Sequence, residues 1–216
     1  MGFIHPFRTI DAETWPRRDH YLVFGRGNYP YIGVTTDIDV TDLLRACRRT
    51  GASFFNAFLH VVSGALNSCE NFRYRVRGDD VVLCDAVDPS FNVFDGERGL
   101  FYFACAAYCA DYVEFDARVE KGKAEALARR TLMADDDSRQ DVFYVSCLPW
   151  FGFTDVIQPM GLSPDDAIPR VVWGKYRDQG GRTVMPLSIT GHHGLFDGYH
   201  IAVLLDAMHS LMNDKI

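Results

Sequence analysis

Residues 54–67 carry apolar side chains around most of a helical circumference rather than along one stripe, and this most constrains the fold. Phe54, Phe55, Phe58, Leu59, Val62 and Leu66 would leave such a helix apolar on most sides, so it must be largely buried, packed against a sheet. Ser53, just ahead of it, is placed to cap its first turn. A buried helix needs a sizeable core around it, and 216 residues, 48% hydrophobic and 24% charged, are enough for one such core and short for two. With no low-complexity linker, internal repeat or proline-rich hinge, the expectation is one domain over 1–216.

The rest of the chain supplies the sheet and its cover. Strand-like residues run from Tyr29 to Asp37, and Asp39-Val-Thr-Asp offers caps for an amphipathic helix through Leu43, Leu44 and Cys47, stopped at Gly51. Arg73–Val76 and Val81–Cys84 flank Arg77-Gly-Asp-Asp, a hairpin connection, and further strands are expected at Phe91–Phe94, at Phe101–Ala107 and in a stretch ending Val145-Ser-Cys-Leu-Pro-Trp. Tyr112 to Arg129 reads as a helix whose charges form a solvated face. Val171–Tyr176 and Thr183–Ile189 are joined by Arg177-Asp-Gln-Gly-Gly-Arg, whose glycines accept the positive φ of a tight turn. An amphipathic helix from about Tyr199 to Met212 follows. Many strands with few intervening helices predict an α+β fold, a mixed and mostly antiparallel sheet covered by helices on one face.

Composition excludes several partners. Twenty-nine acidic against 22 basic residues give a net charge of −7, with no basic block for a phosphate backbone, so nucleic acid is not expected. No apolar run approaches the roughly 20 residues that cross a bilayer, and residues 1–8 lack a leader pattern, which leaves the cytoplasm as the expected location. The six cysteines are scattered, without clustered metal-ligand spacing, and read as free thiols of a reducing compartment; no metal is expected. The 16 Phe and 10 Tyr either fill the core or line a pocket for an apolar or aromatic ligand.

The chemistry concentrates in Ser188-Ile-Thr-Gly-His-His-Gly-Leu-Phe-Asp-Gly-Tyr-His, between the last expected strand and helix. A strand-to-helix junction presents side chains from rigid supports. His193 is a candidate general base, since imidazole titrates near neutrality. Asp197 either orients it directly, as in a triad, or fixes the loop by accepting hydrogen bonds and pairing with an arginine elsewhere. Gly198 would let the chain turn sharply into the helix. The same residues also fit a metal site or a core histidine pair beside an ordinary Asp-Gly turn.

His192-His193-Gly194-Leu195-Phe196-Asp197-Gly198 matches the His-His-x-x-x-Asp-Gly signature of the chloramphenicol acetyltransferase family, which the chain resembles. Trp15-Pro-Arg-Arg-Asp-His20 is similar to that family's Trp-x-Arg-x-Glu/Asp-His stretch, and Ser146-Cys-Leu-Pro-Trp150 to its Ser-Ala-x-Pro-Trp motif. Phe72-Arg73, Val87-Asp-Pro, Gly174-Lys-Tyr176 and Met185-Pro-Leu fall in the expected order, so the resemblance spans nearly the whole chain.

The resemblance implies an acetyl-CoA-dependent O-acetyltransferase with acetyl-CoA as co-substrate. His193 would be the base that deprotonates an acceptor hydroxyl, Ser146 the donor to the oxyanion, and Asp197 with Arg17 a structural pair, bidentate in geometry. Tyr176, Phe55, Trp150 and Lys175 would lie along the coenzyme route, Phe55 standing where a tyrosine is usual. It also implies a homotrimer with active sites between subunits.

Departures from the family gather in the acceptor pocket. Phe24 stands where a tyrosine is usual and Val172 where a threonine is, while Phe103 replaces alanine, Met133 phenylalanine and Gln158 leucine; Phe101 keeps the aromatic. Two polar handles are lost and bulk is added, which points to a small aromatic or amphiphilic acceptor that need not be chloramphenicol. The competing readings are an acyltransferase core like that of 2-oxo acid dehydrogenase complexes, which should carry a lipoyl domain and linker, and a ligand-binding homologue without turnover.

Overall fold

A computed structural model describes residues 2–25, 27–133, 139–161 and 165–214. In chain order the elements are β1 (Phe7–Thr9), α1 (Arg18–Phe24), β2 (Tyr31–Asp39), α2 (Thr41–Thr50), α3 (Phe54–Ser68), β3 (Tyr74–Arg77), β4 (Asp80–Cys84), β5 (Asp88–Asp95) and β6 (Leu100–Cys105). They continue with α4 (Tyr112–Arg129), β7 (Val142–Leu148), β8 (Arg170–Gly174), β9 (Arg177–Gln179), β10 (Arg182–His192) and α5 (Gly198–Asp214).

The apolar helix is α3, and every residue from Asn56 to Leu66 is buried. Ser53 caps it, its Oγ accepting from Asn56 N at 3.4 Å. It touches α2, α4 and α5 as well as β5, so the all-round hydrophobicity is matched by neighbours on several sides. Below it lies a seven-stranded sheet in the order β2-β10-β8-β7-β5-β6, with β9 pairing β10. The β8–β7 and β7–β5 pairs are parallel and the others antiparallel. A smaller sheet, β1-β4-β3, stands apart from it.

The period of two along each strand divides the large sheet into two chemically different faces. Phe91, Val145, Val171 and Ile189 lie in one lateral row across β5, β7, β8 and β10, all buried in the core. One residue earlier on β5, β7 and β8, and one later on antiparallel β10, the row is Ser90, Tyr144, Arg170 and Thr190. A one-residue slip would exchange these faces, so the alternation fixes the register.

Several boundaries differ from the sequence expectation for local reasons. The first long strand begins at Tyr31 rather than Tyr29, because Pro30 has no N–H for the ladder. Its carbonyl accepts from His193 N at 2.7 Å instead. In α2 no side chain caps the first turn; Asp39 Oδ1 accepts from Thr41 N at 2.9 Å from one residue outside. The connection after β8 is tighter than six residues: Arg177–Gln179 forms β9, and Gly180 and Gly181 turn the chain with φ of +63° and +84°. β1 and α1 gave no periodic signal, and α1 buries none of its residues.

Candidate active site

The turn after β10 is held by several independent contacts. Gly194 is pressed against α1, where a Cβ would lie 2.9 Å from the Tyr21 ring and 3.0 Å from Gly25 Cα. Arg17, buried just ahead of α1, spreads its donors over the turn. Nη1 meets Asp197 Oδ2 at 2.8 Å, Nε meets the Gly194 carbonyl at 3.2 Å and Nη2 the His193 carbonyl at 3.3 Å. The guanidinium therefore makes one hydrogen bond to the carboxylate, not the expected bidentate pair, because Nε and Nη2 face two loop carbonyls and the second carboxylate oxygen faces His200. The other Asp197 oxygen accepts from His200 Nδ1 at 2.8 Å, a partner one helical turn on in α5 that the sequence reading did not assign. Burial pushes the Asp197 carboxyl up, but the hydrogen bonds from Arg17 and His200 and their charges outweigh it and hold it well below the usual carboxylate range.

Among the described residues Asp197 makes no hydrogen bond to the His193 ring. His193 Nδ1 instead faces the Phe196 carbonyl oxygen at 3.2 Å. A carbonyl can only accept, so the proton sits on Nδ1 and the Nε2 lone pair is left to act as a base. The ring is half-buried and stacks on Phe24, with centroids 4.3 Å apart and planes at 27°. Gly198 has no positive φ and a Cβ there would meet nothing within 4 Å, so the entry to α5 does not itself require glycine.

Ser146 lies elsewhere, on the polar face of β7. With Ser90, Asn92, Phe101, Phe103, Met133, Tyr144, Gln158 and Arg170 it lines a cavity of about 470 Å³. Phe101 and Phe103 meet edge to face at 5.7 Å on one side. Arg170 is held by Asp166 through two hydrogen bonds, of 2.7 and 3.1 Å, and sits over the Tyr144 ring at 5.4 Å. Gln158 Nε2 donates to Thr190 Oγ1 at 3.3 Å. Val172 is buried in register beside Ser146 but does not reach the cavity surface, and Phe24 is remote from it, beside His193. The Cys147 thiol, next to Ser146, is pushed up to about 11 by burial, so no thiolate stands there at neutral pH.

His193 does not line this cavity. Ser146, Val172 and Ser188 share one row across β7, β8 and β10, and His193 is five residues beyond Ser188. At ~4.8 Å per strand and ~3.3 Å per residue, the Ser146 and His193 Cα atoms of one chain are roughly 20 Å apart. The residues assigned to the coenzyme are spread along the sheet end near α3. Phe55 packs on Phe91 and Trp173, with Lys123 Nζ 4.9 Å over its ring. Tyr176 meets Phe54 edge to face at 5.6 Å, Trp150 meets Phe94 at 5.1 Å, and Lys175 is exposed. Among the described residues no cluster of three or more His, Cys, Asp or Glu could hold a metal ion, and no helix is long and apolar enough to cross a membrane.

A family model described as chloramphenicol acetyltransferase matches residues 5–209. The chain belongs to the chloramphenicol acetyltransferase family. It is 29% identical over 210 residues to chloramphenicol acetyltransferase 2 of Escherichia coli, covering 97% of this chain and 98% of that one. Against the chloramphenicol acetyltransferase of Proteus mirabilis it is 28% identical over 203 residues, 91% and 90% of the two chains. A solved chloramphenicol acetyltransferase superposes with a TM-score of 0.84 at 24% identity, over 96% of this chain and 100% of the other. The dihydrolipoamide acetyltransferase of Azotobacter vinelandii shares the fold less closely, with a TM-score of 0.67 at 16% identity over 91% and 84%.

Within this acetyltransferase family member, the sequence reading missed Asn92, Tyr144 and Arg170 in the cavity wall and His200 beside Asp197. A signal for the first existed: Ser90-Phe91-Asn92-Val93 alternates polar and apolar, which on a buried strand puts Asn92 on the face opposite the core. Arg170 and Tyr144 gave none, because their meeting depends on strands far apart in sequence.

Proposed function

We infer that the chain transfers an acetyl group from acetyl-CoA to a hydroxyl of a small acceptor, and we propose the following roles for its residues. His193 Nε2 takes the proton of the acceptor hydroxyl as its oxygen bonds to the thioester carbonyl carbon. The carbonyl electron pair moves onto oxygen, which accepts a hydrogen bond from Ser146 Oγ. Collapse of the tetrahedral intermediate breaks the carbon–sulfur bond, and the imidazolium returns its proton to the leaving thiolate. The acetylated acceptor and free CoA result, with no acyl-enzyme. A positioned base contributes about 10²- to 10⁴-fold, and one oxyanion donor about 2.7–4 kcal/mol. Asp197 and Arg17 hold the loop, and Tyr176, Phe55, Trp150 and Lys175 bind the coenzyme.

The observation that carries this reading is the Nδ1 contact to the Phe196 carbonyl, which commits His193 to the tautomer a base needs. The separation of base and cavity within one chain supports a further part of it. A base and an oxyanion donor must both lie within hydrogen-bond reach of one reacting centre. We propose that His193 of one copy meets the Ser146 cavity of a second, in the homotrimer that the family resemblance implies, with residues 1–216 as one acetyltransferase domain working in the cytoplasm. Exposed Leu22, Val23 and Phe24 on α1, beside His193, suit such a contact.

The acceptor is proposed to be a small aromatic or amphiphilic alcohol, with chloramphenicol as reference. Phe101, Phe103 and Met133 offer apolar surface to it, and Gln158 a polar one. Purified protein mixed with acetyl-CoA and chloramphenicol or a panel of hydroxylated compounds should release free thiol. His193→Ala should abolish that release, and Ser146→Ala should lower kcat about 10²- to 10³-fold with little change in acceptor KM. Undiminished release in His193→Ala would exclude the mechanism.

A further inference from the structure

The position of Asn92 is not explained by folding. Asparagine is depleted in strands, and a central position of β5 would be better filled by a β-branched residue. Continuing the parallel register one residue beyond Phe91↔Val145 puts Asn92 beside Ser146 on the same face, and both line the cavity. Asn92 Nδ2 donates to Ser146 Oγ at 3.2 Å. Among the described residues this is the one hydrogen bond of the Ser146 hydroxyl, whose own proton has no acceptor there.

We propose that Asn92 is a positioning residue that, by donating to Ser146 Oγ, holds the serine proton pointed into the cavity for the oxyanion of the tetrahedral intermediate. The inference rests on the oxyanion role given to Ser146 above. A serine hydroxyl has one proton and two lone pairs. If a neighbour accepted the proton, the donor would have to break that bond at the moment charge develops on the substrate oxygen. A neighbour that can only donate at that contact occupies a lone pair and leaves the proton unspent. It also polarises the O–H bond, since chains of hydrogen bonds strengthen one another. The arrangement is set before the reaction, which is the condition for electrostatic stabilisation to lower the barrier.

The test is a set of variants assayed by thiol release at saturating and limiting acceptor, with circular dichroism and thermal midpoints recorded for each. Asn92→Ala should lower kcat about ten-fold, the scale of one neutral hydrogen bond, with acceptor KM changed less than two-fold. Asn92→Asp should be worse than Asn92→Ala, because a carboxylate accepts the serine proton and adds a negative charge beside the oxyanion. In the Ser146→Ala background, Asn92→Ala should cause no further loss, since its effect passes through the serine. Losses that multiply in the double variant, or an Asn92→Asp enzyme as active as wild type, would overturn the assignment. So would an unchanged kcat in Asn92→Ala beside a fallen kcat in Ser146→Ala. An unchanged kcat in Ser146→Ala would instead overturn the oxyanion reading, and this one with it.

Discussion

Arg17 illustrates how one side chain can serve several acceptors in the turn after β10. Its planar donor fork reaches the Asp197 carboxylate and the carbonyls of His193 and Gly194 together, which a lysine ammonium on a flexible stem could not. Arg17→Ala is expected to destabilise the fold by about 2 kcal/mol, as charged hydrogen bonds are lost, and to lower kcat through the loosened turn. Arg17→Lys should recover only part of either. The Asp197 carboxyl is held below its ordinary range, so its contribution to stability is full above about pH 4 and is lost as pH falls through the depressed folded value. The difference in thermal midpoint between wild type and Arg17→Ala should therefore shrink on acidification below about pH 4; a difference constant from pH 7 to pH 3 would mean that Asp197 is not the group concerned. At this scale the residue types were legible in the sequence, and Asp197 was already read as a loop anchor through the resemblance. The sharing of Arg17 among three acceptors, and the entry of His200, were not, since hydrogen-bond geometry has no sequence pattern.

Strand β10 runs directly into the turn, and its last residues are packed for the turn's benefit. A Cβ at Gly191 would lie 2.6 Å from Phe196 Cζ, and that ring is buried against Phe72, with centroids 4.6 Å apart. Gly191→Ala must therefore displace Phe196, whose carbonyl fixes the His193 tautomer. A lower thermal midpoint together with a fall in kcat at unchanged acceptor KM is expected, measured by melting and thiol-release kinetics. If only the midpoint falls, the Phe196 contact does not orient the base. Most elements were legible here. The all-round hydrophobicity of α3, the glycine stop of α2 and the span of α4 each follow from local chemistry that does not wait for tertiary contacts. β1 and α1 were not legible, because three strand residues and a helix that buries nothing leave no periodicity to read.

The whole molecule carries the strongest prediction about assembly. A chain with Ser146 intact but His193→Ala, coexpressed with one carrying His193 but Ser146→Ala, should regain activity well above that of either alone. Sites that take the base from one copy and the cavity from another would then include wild-type pairs. Mixed assemblies no more active than the sum of the two parents would place both residues in one chain's site. By itself the sequence determined the buried helix, the α+β class, most strands and the residue types of the turn after β10, because burial periodicity, glycine turns and caps act over a few neighbouring residues. Only the tertiary structure decided which polar residues share the cavity and that His193 stands apart from it. Those outcomes depend on sheet order and register between strands distant in the chain, where each lateral row is assembled from four separate segments.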